Sequence, residues 1–289
     1  MEDAYGGISG KTLGFIGAGN MAEAMVGALI SSGRVKPEAM MASDRNADAL
    51  KHMADAYGIR TTPDNMAVFV ACDVVVLAVK PQIIPAVVTA LASGAGFSEK
   101  DRRTLVISIA AGIPLDAYAS VLYAPLSAEA EVRMPIVRVM PNTPSLVCAG
   151  MAGMCGNCHA QEDDLVLAET LLSAMGKVIR VPEELLDAVT ALSGSGPAYV
   201  FLFAEAMTAA GIAEGLDRET ARLLTIQTIR GAAKMMAERP EAPEALRRNV
   251  TSPGGTTEAA LKTLTGQGFF EMIQAGVRSA AARSRELSR

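Results

Sequence analysis

Residues 13–31 read LGFIGAGNMAEAMVGALIS and couple a four-residue apolar run to a helical pattern through a glycine turn. The run Leu13 to Ile16 predicts a buried strand, and Met21 to Ser31 predicts a helix. Between them, Gly17-Ala18-Gly19-Asn20-Met21-Ala22 matches G-x-G-x-x-A in the strand–turn–helix context that marks a dinucleotide fingerprint. Gly17 permits the tight turn, Gly19 lets the backbone approach a pyrophosphate, and Ala22 allows the helix to pack closely on the sheet. Phosphates would then meet the free N–H groups at the helix start. A glycine turn with a structural role alone is the other reading of these six residues.

Outward from this unit, the first half alternates short apolar runs with helical patterns, the signature of a doubly wound parallel sheet. Further strands are expected at Ala39 to Ser43, Val74 to Val79, Leu105 to Ile109, Val137 to Met140 and Val178 to Val181. Helices are expected at Ala47 to Tyr57, Ile83 to Leu91 and Asp163 to Met175. From Glu183 onward only helical patterns remain, at Pro197 to Gly215, Asp217 to Glu238, Glu244 to Asn249, Thr256 to Leu264 and Phe269 to Leu287. The expected architecture is an α/β Rossmann-type dinucleotide-binding domain over residues 1–182, followed by an all-α domain over 183–289. Two of its helices, AYVFLFAEAMTAAGI and ARLLTIQTIRGAAKMM, are apolar over more than one face, so a lone helical domain would leave them wet. A homodimer built through this half is therefore expected.

The formal charge of -5 and the lack of a long basic run argue against nucleic acid as a partner. The start MEDAYGGISGKTLGF has two acids in its first three residues and no charged start followed by an apolar run, so it does not read as a signal peptide, and a cytoplasmic protein is expected. No segment reads as transmembrane, because Val74 to Val79 is short and Ala198 to Ile212 carries Glu205, so no membrane partner is expected. Trp is absent and aromatics make up 4%, which leaves a core of Ala, Val, Leu, Ile and the 16 Met. Cys155, Cys158 and His159 spell C-x-x-C-H, the haem-attachment pattern, and Cys148 upstream would complete a Cys3His zinc set. Such short patterns also match by accident, and reduced cytosolic thiols with no metal are the expectation.

The dinucleotide reading directs attention to the carboxyl ends of the strands. Ser43-Asp44-Arg45-Asn46 stands where cofactor choice is written. Asp44 would hold the ribose hydroxyls of NAD and repel a 2′-phosphate, whereas Ser43, Arg45 and Asn46 would suit that phosphate, so NADH and NADPH both stay open. Ala78-Val79-Lys80-Pro81 and Ala110-Ala111-Gly112 end two further strands and are expected to flank the nicotinamide ribose, with Met140-Pro141-Asn142-Thr143-Pro144 as a wall for the ring. Ser193-Gly194-Ser195-Gly196-Pro197 reads either as a capped turn or as a substrate contact.

In the second half, NVTSPGGTTE at 249–258 sets a glycine turn among helices. Ser252 as N-cap and Pro253 at the first position would put Gly254 and Gly255 in the first helical turn, at a cost of about 2 kcal/mol for the pair. That cost suggests a close approach by a small anion, a carboxylate or phosphate held by N–H groups and hydroxyls; an ordinary helix–helix turn is the alternative. His52 and His159 sit in no supporting constellation. A hydride transfer needs no such base where the acceptor binds as a protonated iminium.

These residues together resemble pyrroline-5-carboxylate reductase, through GFIGAGNMA at 14–22, AVKP at 78–81, SIAAG at 108–112, MPNTP at 140–144, DAVTALSGSGPAY at 187–199 and NVTSPGGTT at 249–257. The resemblance spans nearly the whole chain and implies reduction of 1-pyrroline-5-carboxylate to L-proline with NADPH or NADH. It further implies a helical domain that interlocks into homodimers, often assembled into larger rings. It assigns Thr257 to hydrogen-bond the imine nitrogen, Ser252, Gly255 and Thr256 to hold the carboxylate, and Asn249 and Glu183 to stand near the substrate. On the cofactor side it assigns Gly17, Ala18, Gly19, Asn20, Met21, Asn65, Val79, Lys80 and Ala111. Asp44 departs from the small or neutral polar residue that NADPH-preferring members place there, and the Cys155 to His159 run has no counterpart in the family pattern.

Two rival readings keep the nucleotide fold. A two-domain hydroxyacid dehydrogenase would carry K-x-x-x-N on a long helix, but here Lys234 is followed by Glu238 and Lys262 by Gly266. A non-catalytic nucleotide sensor would not need the Ser252 to Thr257 loop.

Overall fold

A computed structural model describes residues 8–288 of the chain. Eight strands form one sheet: β1 (Leu13–Ile16), β2 (Met40–Ser43), β3 (Arg60–Thr62), β4 (Val74–Leu77), β5 (Leu105–Ser108), β6 (Ile136–Met140), β7 (Gly150–Gly156) and β8 (Gly176–Arg180). Their order is β3-β2-β1-β4-β5-β6-β7-β8, so the order reverses at β1, between β2 and β4. The helices of this half are α1 (Asn20–Ser31), α2 (Ala47–Tyr57), α3 (Asn65–Ala71), α4 (Ile84–Ala92), α5 (Leu115–Leu122), α6 (Ala128–Val132) and α7 (Glu162–Leu172).

Alternation along the strands sends Leu13, Phe15, Val74 and Val76 to a core under α1, α2 and α7. Ile16, Val75, Leu77 and Val106 go to a second core under α3, α4 and α5. Cover on both faces explains why β4 reads VVVL with every residue buried.

The sheet is not wholly parallel, as the alternation of strands and helices had suggested. β7 returns from β6 through the short turn Thr143–Val147 and pairs with it antiparallel. Both missed strands lack an apolar pattern. β3 is Arg-Thr-Thr at the sheet edge, and β7 is GMAGMCG. Its glycines answer to close packing: a Cβ on Gly150 would lie 2.1 Å from Ser145 Oγ. The unexpected helices α3, α5 and α6 span seven, eight and five residues, too few turns to show a period.

Compact packing divides the chain after Gly194, with the stretch from Ala281 onward belonging to the first unit. The turn Glu183–Leu185, α8 (Leu186–Val189) and the widened turn Thr190–Gly194 are thus part of that first unit. Leu186 is fully buried in the second core, and Asp187 accepts a 2.5 Å hydrogen bond from Ser284.

The second unit, residues 195–280, holds α9 (Gly196–Ala213), α10 (Arg218–Glu238), α11 (Pro243–Asn249), α12 (Thr256–Gly266) and the start of α13 (Phe269–Leu287). Asp217 caps α10 by accepting from the N–H groups of Glu219 and Thr220. In the hairpin of α9 and α10 a Cβ on Gly211 would lie 3.3 Å from Ala221. Between residues 195 and 280 only Ala221 and Thr225 are buried, while Phe201 is 61% and Leu202 67% exposed. Contrary to the expectation from sequence, the helical run Glu183–Ala213 is long and apolar enough to cross a membrane by length and composition. None of its apolar window is buried.

Candidate functional site

The cleft of about 480 Å³ lies beyond the carboxyl ends of β1, β2 and β4, astride the reversal of strand order. It brings together Gly17, Gly19, Ser43, Asp44, Arg45, Asn65, Ala78, Val79 and Lys80 of the residues expected from sequence. Gly17 has φ +105 and its Cβ would stand 2.8 Å from the carbonyl of Ala78, so both backbone and space demand glycine. Its N–H donates to Ser43 O at 2.7 Å, which ties the loop to β2.

Gly19 caps α1 with extended backbone and no side-chain hydrogen bond. A Cβ there would meet nothing within 4 Å, so the space above it is open to a ligand. The N–H groups of Asn20, Met21 and Ala22 find no partner among the described residues, which leaves a positive helix end facing that space. The residues present therefore fit a dinucleotide pyrophosphate.

Asp44 fixes the other side of the loop. Its Oδ2 accepts from the N–H of Ala18 at 2.8 Å and its Oδ1 from the N–H of Asn46 at 2.9 Å. Ser43 is fully buried and donates to Asn65 Oδ1 at 2.8 Å, and Asn46 caps α2 through Asp48 and Ala49. Arg45 is exposed on the rim and has no partner among the described residues.

Ala18, Asn20, Met21, Pro81 and Ala111 do not line the cleft. Ala18 is buried, Met21 packs against the first core, Pro81 opens the turn Pro81–Ile83, and Ala111 lies in the turn after β5. Ile83, Ala86, Val87 and Ala90 line it and were not expected. Ala86, Val87 and Ala90 lie on one face of α4 and Ile83 stands just before its start, a spacing of three, one and three residues that is present in the sequence.

In the second unit Asn249 ends α11, and the chain turns through Ser252-Pro253-Gly254-Gly255 into α12. Here the expected N-cap is corrected. Gly255 N–H donates to Ser252 O at 3.0 Å and Gly254 has φ +70, the pattern of a type II turn with proline second and glycine third. Both glycines thus precede the helix, Gly255 is its cap, and the assumed helical cost does not arise. Gly254 N–H is taken by Glu258 Oε2 at 2.8 Å. The N–H groups of Thr256 and Thr257 have no partner among the described residues, and Thr257 is half-buried. An open groove of about 1070 Å³ runs past Gly254, Gly255, Glu258 and Lys262.

Glu183 lies in the first unit and is committed there. Its Oε1 accepts from Arg138 Nη1 and from the N–H of Leu115, both at 2.8 Å, so it neutralises a buried arginine and caps α5. Asn142 is likewise occupied, accepting from Met151 N–H at 2.9 Å and donating to the carbonyl and hydroxyl of Ser193 at 3.3 Å. That bond places the Ser193 turn against the end of β6. Burial pushes the Cys155 thiol up to about 12, which disfavours the thiolate a zinc site needs. Among the described residues no cluster of His, Cys, Asp or Glu could hold a metal.

A family model described as pyrroline-5-carboxylate reductase dimerisation matches residues 183–287, and one described as NADP oxidoreductase, coenzyme F420-dependent, matches 12–112. The pyrroline-5-carboxylate reductase of Pseudomonas aeruginosa is 42% identical over 282 residues, covering 97% of this chain and 98% of that one. The chain belongs to the pyrroline-5-carboxylate reductase family. A solved family structure from Coxiella burnetii matches with a TM-score of 0.87 at 40% identity, covering 96% of this chain and 99% of that one. A second reductase structure, from Plasmodium falciparum with NADP bound, matches with a TM-score of 0.82 at 28% identity, covering 98% and 100%. The reductase dimerisation segment contains the whole helical unit whose side chains lack cover, and it contains the apolar run Glu183–Ala213. Lys234, the candidate of the hydroxyacid dehydrogenase reading, is exposed and pairs with Glu238 at 3.7 Å.

Proposed function

We propose that the chain reduces 1-pyrroline-5-carboxylate to L-proline with NADPH or NADH, as a homodimer in the cytoplasm. The observation that carries the reading is the pairing, in one reductase-family chain, of an open glycine cradle at the sheet's switch point with the Ser252–Thr257 turn. Reduced nicotinamide supplies the hydride equivalent when bound. Gly17 and Gly19 admit the pyrophosphate to the start of α1, and Ala78 to Lys80 border the same cleft.

Thr256 and Thr257, with unpaired N–H groups at the start of α12, hold the substrate carboxylate together with the Ser252 hydroxyl, whereas Gly255, whose N–H closes the turn on Ser252 O, shapes the turn and has no donor left for the anion. The Thr257 hydroxyl orients the imine nitrogen, which arrives protonated, so no side chain needs to deliver a proton. In keeping with this, each imidazole is already paired with a carboxylate, His52 Nε2 2.7 Å from Glu23 and His159 Nε2 3.7 Å from Glu131. Asn249, the last residue of α11, stands near the substrate. Glu183 acts indirectly, through Arg138 and α5. A second copy covers α9 and α10, and larger rings of such dimers follow the family habit.

The test follows oxidation of NADH and NADPH by the purified protein with the imine; no oxidation of either would end the proposal. Thr257→Ala should lower kcat/KM by roughly 10- to 100-fold, the worth of one hydrogen bond to a charged group. Dinucleotide affinity should stay unchanged, and equal loss of both would remove Thr257 from the reaction.

A further inference from the structure

We infer that Asp44 makes this chain an NADH-preferring reductase. The inference rests on the dinucleotide reading of the cleft and concerns which dinucleotide it accepts. Of the residues at the end of β2, Ser43, Arg45 and Asn46 have side chains suited to a 2′-phosphate, and the structure removes two of them. Ser43 is fully buried with its hydroxyl given to Asn65, and Asn46 spends its side chain on the N–H groups of Asp48 and Ala49. Arg45 alone is left, exposed on the rim.

Asp44, by contrast, is held in place. The N–H groups of Ala18 and Asn46 each bind one of its oxygens, so the carboxylate cannot swing away from an incoming phosphate without giving up both bonds. It lines the cleft beside Gly17 and Gly19, at the end of the second strand, where an acid in this fold accepts from the ribose 2′-hydroxyl. With NADH, Asp44 retains lone pairs for that hydroxyl while keeping its backbone partners. With NADPH, a phosphate of charge about −1.5 to −2 is brought against a fixed carboxylate. Arg45 offsets part of the repulsion, but a mobile surface cation answers a fixed neighbouring anion only weakly. Like charges brought together cost enough to separate the two affinities by about 10- to 100-fold.

The experiment titrates the purified full chain with NADH and with NADPH by fluorescence, without imine. NADH should bind about 10- to 100-fold more tightly. Asp44→Asn keeps one oxygen for the Ala18 N–H and removes the charge, so it should narrow the ratio by at least about tenfold, chiefly through tighter NADPH. Adding Arg45→Ala to that variant should weaken NADPH and leave NADH unmoved. Equal or tighter NADPH binding by the parent overturns the inference, as does an unchanged ratio in a folded Asp44→Asn protein. If neither dinucleotide binds, the cofactor reading falls with it. If NADH binds preferentially but no imine is reduced, the preference stands and the proposed reaction fails.

Discussion

Glu183 offers a direct separation of a structural role from a role at the substrate. Arg138 projects from β6 with its side chain 8% exposed, and its ion-pair partner is Glu183, itself 31% exposed. The same oxygen also caps the first N–H of α5 at Leu115. Removing the carboxylate strands a charge that has little access to water and leaves one helix donor unpaired. Breaking a buried pair in this way costs about 3–5 kcal/mol, and the partial exposure of Glu183 lowers the expectation to about 2–4 kcal/mol. For a unit of this size each kcal/mol moves the midpoint by about 2–4 °C, so Glu183→Ala should melt roughly 5–15 °C below the parent without ligands. Replacing the pair together, Arg138→Met with Glu183→Leu, should recover most of the loss, because the buried charge leaves with its partner. A Glu183→Ala protein that melts within about 1 °C of the parent yet shows a raised KM for the imine would refute the argument and return Glu183 to the substrate.

The remaining predictions concern a buried amine and the uncovered helices. Lys100 donates to the carbonyls of Phe69 and Cys72, and burial, aided by Arg102, pulls its pKa down from 10.5 to about 8. Below the folded value both states carry the proton and the fold bears the full burial penalty. Between about pH 8 and 10.5 the unfolded chain holds more of the proton, so stability rises with pH over that window. Urea unfolding of the parent and of Lys100→Met at pH 7.5 and 10 should show a stability difference that grows in the parent's favour at the higher pH; a constant difference would refute the cause. Glutamate at both Phe201 and Leu202, which are 61% and 67% exposed in the single chain, should convert the dimer to monomer in light scattering, and a surviving dimer would clear α9 of the interface.

How far each part was legible depended on whether its signal was local. The bounds of β1 and α2 are legible because the apolar run of the one and the helical pattern of the other lie within the elements themselves. The cofactor cleft followed, since a strand–glycine–helix unit fixes which sheet edge binds ligand. The turn at Ser252 was misread although its signal was present: proline followed by glycine fits the second and third positions of a type II turn, which binds its own backbone before the helix begins. Glu183 could not have been placed at all. Its partners stand 45 and 68 residues away, and only the folded sheet brings Arg138 and Leu115 to it.

The helical unit shows the opposite limit, where the sequence speaks of something a single chain does not contain. Apolar side chains around α9 and α10 are costly in water, and two buried residues in 86 cannot supply a core for the unit by itself. The sequence pattern therefore specifies a second surface as firmly as it specifies the helices. A membrane and a second copy would both cover α9. Residues of α10 help to decide between them: Leu223, Leu224 and Ile226 are exposed on a helix that also carries Arg218, Glu219, Arg222 and Arg230, a mixture that a lipid core would penalise and a protein interface with a charged rim accepts. The run that is membrane-ready by length and composition thus ends in α9, which forms a hairpin with α10, and the charges of α10 suit a protein interface rather than lipid.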